Sequence, residues 1–112
     1  MFDFKDFSQL GSLLKEAMQV KQKIDTLKEE LAKVEVEGES GGGMVKVKMN
    51  GKFEVLNLSI SEELFSEAFA DKSLIEAMVL SAINITSEKV RVLAKEKMKE
   101  IAGGIEIPGL LD

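Results

Sequence analysis

The sequence has 112 residues, enough for one domain with a modest core, and its 15 Lys and Arg against 20 Asp and Glu give a formal net charge of −5. The absence of Cys and His excludes disulfides, thiolate metal sites and histidine-based catalysis. Trp and Tyr are also absent, so we expect no stacking platform for single-stranded nucleic acid.

The first third of the chain predicts one long helix from about residue 7 to residue 33, capped by Asp6. At 1.5 Å per residue it is about 40 Å long, whereas a domain of this size is about 30 Å across, so the helix should project past its own body. Its apolar residues recur at alternating spacings of three and four, the pattern of a coiled-coil seam. The seam consists of Leu10, Leu13, Ala17, Val20, Ile24, Leu27, Leu31 and Val34.

A second copy of the chain is the simplest surface to cover this seam, and the protein's own last helix is the alternative. We therefore expect a homodimer. The residues that we expect in its interface are Val20, Ile24, Leu27 and Leu31 on the helix, and Phe53 and Val55 in the sheet described next.

The middle third predicts three antiparallel strands, at about residues 34–37, 44–50 and 52–60. We expect Glu35 opposite Lys46, because that register places apolar side chains opposite each other and acids opposite bases. The segment GESGGG would join the first two strands. Asn50-Gly51 would form a type I′ turn between the second and third.

The third predicted strand is apolar on both faces near its start. Strict alternation places Leu56, Leu58 and Ile60 on one face and Phe53 and Val55 on the other. We expect the protein's own helices to cover one face and a partner subunit to cover the second.

The glycine run 41–43 invites comparison with a phosphate-binding loop. A helix should follow such a loop, but the alternation in MVKVKMN predicts a strand, and no Lys-Ser or Lys-Thr pair is present. We expect a connector with no nucleotide, cofactor or small-molecule substrate. The acidic residues Glu35, Glu37 and Glu39 could contribute to a metal site, but no His or Asp completes one, so we expect neither a metal nor an enzyme.

The last part of the chain is predicted to be helical. Ser61 would cap a short turn, and Ser73 with Glu76 would form a capping box for a long helix. Gly103-Gly104 would end that helix, and residues 104–112 are expected to form a flexible tail.

Positive charge is concentrated on the two long helices. Arg91, Lys95 and Lys99 fall on one face of the last helix at steps of four. Lys15 and Lys23 lie on the first helix among other charges of both signs. Such faces are compatible with binding a phosphate backbone despite the acidic total.

Three segments resemble the YbaB/EbfC family of nucleoid-associated DNA-binding proteins: LLKEAMQVKQKI, LKEELAKVEVEGESGGGMVKVKMNG and KEKMKEIAGGIEIPG. They occur in the family's order and span nearly the whole chain, so residues 1–112 are expected to form a single domain of this type. The resemblance implies an α+β fold with a long N-terminal helix, a three-stranded antiparallel sheet and C-terminal helices. It also implies a homodimer with projecting helices.

The resemblance implies binding of double-stranded DNA, without enzymatic activity, in the nucleoid of a bacterial cell. The family's first and last helices are the parts implicated in DNA contact, which points to Lys15, Lys23, Lys95 and Lys97. Helix geometry alone adds Arg91 and Lys99. No apolar run approaches the length of a membrane span and no signal peptide opens the chain, so we expect a cytoplasmic protein with no membrane partner. The alternative function is a dimeric module that recruits a DNA-repair or recombination protein, with DNA contact secondary.

Overall fold

The computed structural model describes residues 4–101, with side chains from residue 9 onward. Its elements are α1 (Phe4–Lys33), β1 (Glu35–Ser40), β2 (Val45–Asn50), β3 (Val55–Ile60) and α2 (Lys72–Ile101), with single helical turns at Gly41–Gly43 and Glu62–Phe65. The strands form one antiparallel sheet in the order β1-β2-β3. The predicted α+β class and sequence of elements are therefore confirmed.

The core lies between β2 and α2. Alternate residues of β2 face the helix, as predicted for a strand with one buried face, and its lysines face the other way. The side chains at the centre of this cluster are all 0% exposed: Val45, Val47, Leu64 and Ala82.

The close contact between β1 and α2 depends on Gly38. A Cβ at this position would lie 2.3 Å from Oγ1 of Thr86 and 3.1 Å from its Cα, so a larger residue would push the helix away from the strand. The Thr86 hydroxyl donates a 2.6 Å hydrogen bond to the carbonyl of Ala82, which satisfies this buried polar group within its own helix. Gly38 is therefore a packing position in a strand, not a loop residue as predicted.

The predicted register between β1 and β2 was wrong by four residues. Lys46 lies opposite Glu39 rather than opposite Glu35. Because a shift of four is even, each side chain stays on its expected face. Glu37 lies opposite Lys48 and Glu39 opposite Lys46, so acids face bases as expected, although the pairs differ from the predicted one.

The register moves because β1 continues to Ser40 and leaves a very short connection. Only Gly41–Gly43 and Met44 separate the two strands. The three glycines have φ of 60, 66 and 94°, the left-handed region that glycine adopts with least strain. The connector predicted over six residues is therefore a tight glycine turn.

The turn predicted for Asn50-Gly51 was also wrong. Neither residue has a positive φ, and the left-handed residue of this connection is Phe53, at φ 62°. The side-chain oxygen of Asn50 accepts hydrogen bonds from the backbone N–H groups of Lys52 (2.9 Å) and Glu54 (3.1 Å). Asn50 thus organises a longer loop through its side-chain amide.

Gly51 is required for a contact with α1 rather than for a positive φ. Its N–H donates a 2.8 Å hydrogen bond to the carbonyl of Leu31, one of the acceptors that a helix leaves unpaired at its C-terminal end. A Cβ on Gly51 would lie 2.6 Å from the same carbonyl oxygen. This contact attaches the end of α1 to the sheet.

A bulge in β3 changes which of its side chains share a face. Val47 lies opposite Leu58, but Met49 lies opposite Val55, so Leu56 is the extra residue. Val55 and Leu58 therefore both point to the side on which α2 lies. The predicted assignment of these two residues to opposite faces was wrong, because the bulge interrupts the alternation.

The beginnings of α1 and of the turn after β3 test two predicted caps. α1 begins at Phe4, so Asp6 lies inside its first turn and does not precede it. The hydroxyl of Ser61 accepts a 3.3 Å hydrogen bond from the N–H of Glu63, which confirms Ser61 as the cap of its turn.

The N-terminal cap of α2 is Asp71, not Ser73. Its carboxylate accepts hydrogen bonds from the backbone N–H groups of Ser73 (2.9 Å) and Leu74 (3.4 Å). A carboxylate at this position also interacts favourably with the helix dipole. The predicted helix stop at Gly103-Gly104 and the predicted tail at residues 104–112 lie outside the described residues.

α1 runs antiparallel to α2. The hydroxyl of Ser40 donates to the carbonyl of Met78, near the start of α2, and Glu30 pairs with Lys97, near its end. Earlier residues of the chain therefore contact later residues of α2. The last residues of α2 pack against the end of α1 in a small second core. This core contains Leu27, Leu31, Ala94, Met98 and Ile101.

The rest of α1 extends beyond α2. The molecule is 80 Å long. This length equals about 45 Å for α2 plus about 35 Å for the part of α1 before Leu27, at 1.5 Å per residue. The radius of gyration is 21.6 Å, against about 13 Å for a compact domain of this size. The prediction that the first helix projects past its body is therefore confirmed.

Candidate nucleic-acid interface

The projecting part of α1 carries a polar flank without a carboxylate. At 3.6 residues per turn, six exposed residues fall within a sector of about 100°. We call them the lysine flank: Ser12, Lys15, Gln19, Gln22, Lys23 and Thr26. Lys15 and Lys23 were predicted from the sequence, whereas the hydroxyl and amide residues were missed because the sequence was searched for charge. All six side chains can donate hydrogen bonds to phosphate oxygens.

A second group of cations lies on α2. Arg91, Lys95 and Lys99 are exposed on one face, as their spacing predicts. Nη1 of Arg91 lies 2.6 Å from Oε2 of Glu88 one turn earlier, so this guanidinium is already paired. Within the part of the chain that the structure describes, Lys95 and Lys99 form no ion pair.

Lys97 has a different environment from the other predicted cations. Its Nζ lies 3.3 Å from Oε2 of Glu30, and its side chain is 28% exposed. Lys95 and Lys97 differ by about 200° around the helix, so KEKM does not present both lysines to one surface. Lys97 bridges α1 and α2, while Lys95 faces solvent.

The predicted cations consequently lie on two sides of the helix pair. Lys23 precedes Glu30 by seven residues, so it shares the side marked by the Glu30–Lys97 ion pair. Lys95 lies on the opposite side, together with Arg91 and Lys99. The structure therefore does not gather all six cations on one surface of a single chain.

α1 adds two lysines to the second side. In an antiparallel pair, Lys21 and Lys28 fall on the same side as Lys95, and both are exposed. They were not selected from the sequence. Their helical spacing of seven is visible there, but their alignment with α2 requires the direction and phase of both helices.

The residues predicted for a dimer interface fall into two groups. Leu27 and Leu31 are 4% and 7% exposed because they pack against α2 of their own chain. Val20, Phe53 and Val55 are 46%, 43% and 49% exposed, and Ile24 is partly buried. The last helix of the chain therefore covers one end of the seam, which was the alternative to a second copy.

β3 presents an uncovered apolar surface. α2 packs over β1 and β2, and the outer edge of β3 pairs with no strand among the described residues. Four large side chains in this region are between 43% and 49% exposed, and we call them the β3 patch: Phe53, Val55, Leu56 and Leu58. Several exposed large apolar side chains within one short segment are typical of an interaction surface.

The strand carboxylates are matched with lysines. Oε2 of Glu35 lies 3.7 Å from Nζ of Lys48, and Glu39 lies opposite Lys46. Among the described residues, no group of three or more Asp, Glu, His or Cys could hold a metal ion.

The Gly41–Gly43 turn leads into a strand, as predicted. No helix in the described part of the chain is both long enough and apolar enough to cross a membrane.

A projecting helix with exposed lysines is typical of a protein that binds nucleic acid. Comparison with known families agrees, because the model of the YbaB/EbfC DNA-binding family matches residues 6–105. The chain therefore belongs to the YbaB/EbfC DNA-binding family, as the three sequence segments indicated. It is not an enzyme, since the members of this family bind DNA and do not catalyse a reaction.

Individual relatives match over nearly their whole length. A nucleoid-associated protein of Anaeromyxobacter dehalogenans strain 2CP-1 is 42% identical over 98 residues, which covers 88% of this chain and 93% of the relative. A nucleoid-associated protein of Anaeromyxobacter sp. strain Fw109-5 is 43% identical over the same extent. The crystal structure of the uncharacterized protein HP0035 from Helicobacter pylori aligns with a TM-score of 0.59 at 30% identity, covering 80% of this chain and 95% of that one.

Proposed function

We propose that the chain binds double-stranded DNA as a homodimer, mainly through phosphates and with little sequence selectivity. The observation that carries this proposal is the lysine flank, which stands on a helix that projects from the body. Lys15 and Lys23 are about 12 Å apart along the axis, a span over which duplex DNA presents about seven phosphate charges. Neighbouring amides and hydroxyls can add hydrogen bonds to the same backbone.

Low selectivity follows from the kind of cation on these surfaces. Lysine is a flexible point charge that suits phosphate, whereas bidentate reading of guanine is mainly the work of arginine. Arg91 is the chain's single arginine, and it is paired with Glu88. We therefore expect binding that depends on the DNA backbone and weakens steeply with salt.

The β3 patch supports the proposed dimer. Val55 and Leu58 lie on the helix-facing side of the sheet but beyond the area that α2 covers, so a second copy related by a two-fold axis can bury both patches together. Phe53 and Leu56, within two residues of Val55, are further exposed apolar side chains. Such a dimer carries two projecting helices, which doubles the number of lysine flanks available to one duplex.

The proposed place of action is the bacterial nucleoid, in the cytoplasm. The support is that curated relatives of nearly the same length are named nucleoid-associated proteins. A net charge of −5 argues for weaker binding than that of a strongly basic protein. Affinity then depends on the local field of the projecting helices.

An electrophoretic shift assay on random duplex DNA across a salt series tests the proposal. Lys15→Gln with Lys23→Gln should weaken binding, and each lost phosphate contact should reduce the slope of log K against log[salt] by about 0.9. The matched control is Lys46→Gln with Lys72→Gln, which removes the same charge from exposed positions away from the lysine flank. If both variants lose the same DNA affinity, binding depends on net charge alone and the lysine flank is not the DNA surface.

The alternative is a dimeric module that recruits a DNA-repair or recombination protein. It predicts that the Lys15 and Lys23 variant binds DNA as well as the unmodified chain at every salt concentration. Unchanged DNA binding by this variant, together with a normal dimer, would favour recruitment of a protein partner as the main function.

A further inference from the structure

Beyond the end of α2, the face of α1 that α2 covers continues as an uncovered apolar stripe. Leu27 and Leu31 are covered on this face, but one and two heptads earlier Val20 and Leu13 are 46% and 63% exposed. We call this surface the α1 stripe, and its members are Leu10, Leu13, Ala17 and Val20.

We propose that residues 102–112 of the same chain pack along the α1 stripe. Their sequence, AGGIEIPGLLD, contains four large apolar residues and two acids, and it has no lysine or arginine. The apolar residues are Ile105, Ile107, Leu110 and Leu111.

The position at which α2 ends supports this occupant. Ile101 packs against the cluster that contains Leu27, so residues 102–112 begin where the uncovered part of the stripe begins. Along α1, Leu13 lies about 21 Å from Leu27. The six residues from Ile101 to Ile107 span about 20 Å when extended, so Ile107 can reach Leu13.

Local chemistry also favours this segment over a second copy of α1. Gly103-Gly104 allow the chain to leave the helical conformation and turn along the stripe. Lys21 borders the stripe, about 60° around α1 from its centre, whereas Glu16 and Lys23 lie about 80° and 100° away on the other side, so the acids of residues 102–112 can meet an opposite charge at Lys21. A second α1 would bring a second Lys21 to the same place.

Disulfide trapping in the full-length chain tests the proposal, because the natural sequence has no cysteine. Leu13→Cys is combined with Ile107→Cys. In the matched control, Gly11→Cys replaces Leu13→Cys. Gly11 is two residues away, on the opposite side of α1, and a Cβ there meets nothing within 4 Å. Both positions are exposed, so neither change should disturb the fold.

Dilute oxidation should give an intrachain disulfide, seen as a faster-migrating monomer on a non-reducing gel. The 13–107 pair should form about tenfold faster than the 11–107 pair, because docking raises the effective concentration on one face only. Equal rates for the two pairs, or no intrachain bond, would overturn the proposal. Covalent dimers of the Leu13→Cys single variant would assign the stripe to a second α1. Dimers that need both cysteines would assign it to the partner's residues 102–112.

Discussion

The body around β2 and the projecting part of α1 both have regular apolar spacing, but their side chains have opposite environments. Val45 and Val47 are 0% exposed, whereas Leu13 and Leu14 are 63% and 59% exposed. α2 lies across β2, while every residue of α1 from Gln9 to Lys23 is exposed in the described structure. An apolar pattern therefore shows which side of an element needs a partner, and the topology decides whether the same chain supplies one.

The difference separates stability from function. Burying a side chain such as Val or Leu contributes about 1.5–3 kcal/mol, so the free energy of folding comes mainly from the body. The projecting helix contributes little core and leaves its surfaces free for binding. Matched substitutions in the two regions should then have very different effects.

The largest difference should appear between Val47→Asp and Leu14→Asp. A carboxylate at Val47 would be buried without a partner, so we expect a loss above about 4 kcal/mol or no folding. At Leu14 the same change should cost at most about 1 kcal/mol, because the side chain is already in water. Urea unfolding at equal protein concentration measures both. Similar losses at the two sites would mean that α1 is as buried in solution as the core.

Substitutions in the β3 patch and on the opposite face of β3 should have different effects on the dissociation constant of the proposed dimer. We expect Leu58→Asp to weaken the proposed dimer by at least about 100-fold, about 2.7 kcal/mol, because a charge would enter an apolar interface. Ser59→Asp places the same charge on the other face of β3 and is the control. Sedimentation equilibrium gives both dissociation constants. A Leu58→Asp chain that dimerises normally would remove the β3 patch from the interface.

Replacing a glycine with alanine should change the free energy of unfolding by an intermediate amount, with opposite signs in the body and in the projecting helix. Gly51→Ala forces a Cβ against the carbonyl of Leu31 and should cost about 1–3 kcal/mol. Gly11→Ala meets nothing and should stabilise the helix by about 0.5–1 kcal/mol. Thermal melts of the two variants should therefore shift in opposite directions. A stabilised Gly51→Ala would contradict the close contact between α1 and the β2–β3 loop.

The smallest expected differences, in stability and in DNA binding, are those between substitutions of Lys95 and Lys97, two residues apart in the sequence. Lys97→Gln removes the ion pair with Glu30 and should cost up to about 1 kcal/mol of stability with little change in DNA binding. Lys95→Gln should leave the melting temperature unchanged and lower the salt slope of DNA binding by about 0.9 per lost contact. A salt slope that depends on Lys97 and not on Lys95 would restrict the DNA to the side of the lysine flank and exclude the face that carries Arg91, Lys95 and Lys99.

Periodicity alone was sufficient for the order of the elements, the buried face of β2 and the projection of α1. The segment EVEGESGGGMVKVKMNG was sufficient to indicate the family. These predictions succeeded because each depends on residues close together in the chain, where backbone geometry sets the spacing of the side chains that share a face.

The predictions that failed depended on where one element meets another. The shift between β1 and β2, the contact of Gly51 with Leu31 and the bulge at Leu56 all depend on partners outside the local window. Alternation shows which face a side chain occupies, but an even shift in register leaves that pattern unchanged. Local sequence therefore does not distinguish such registers.

For the candidate interface too, some features follow from local sequence and others only from the packing of distant elements. The sequence by itself determined that α1 and α2 carry exposed lysines and that α1 has an apolar seam longer than its body. Only the tertiary structure decided that Lys97 pairs with Glu30, that Lys95 lies on the other side, and that Leu27 is covered while Leu13 is not. The physical reason is that the phase of one helix relative to another is set by packing between residues distant in the chain, such as Leu31 and Ala94.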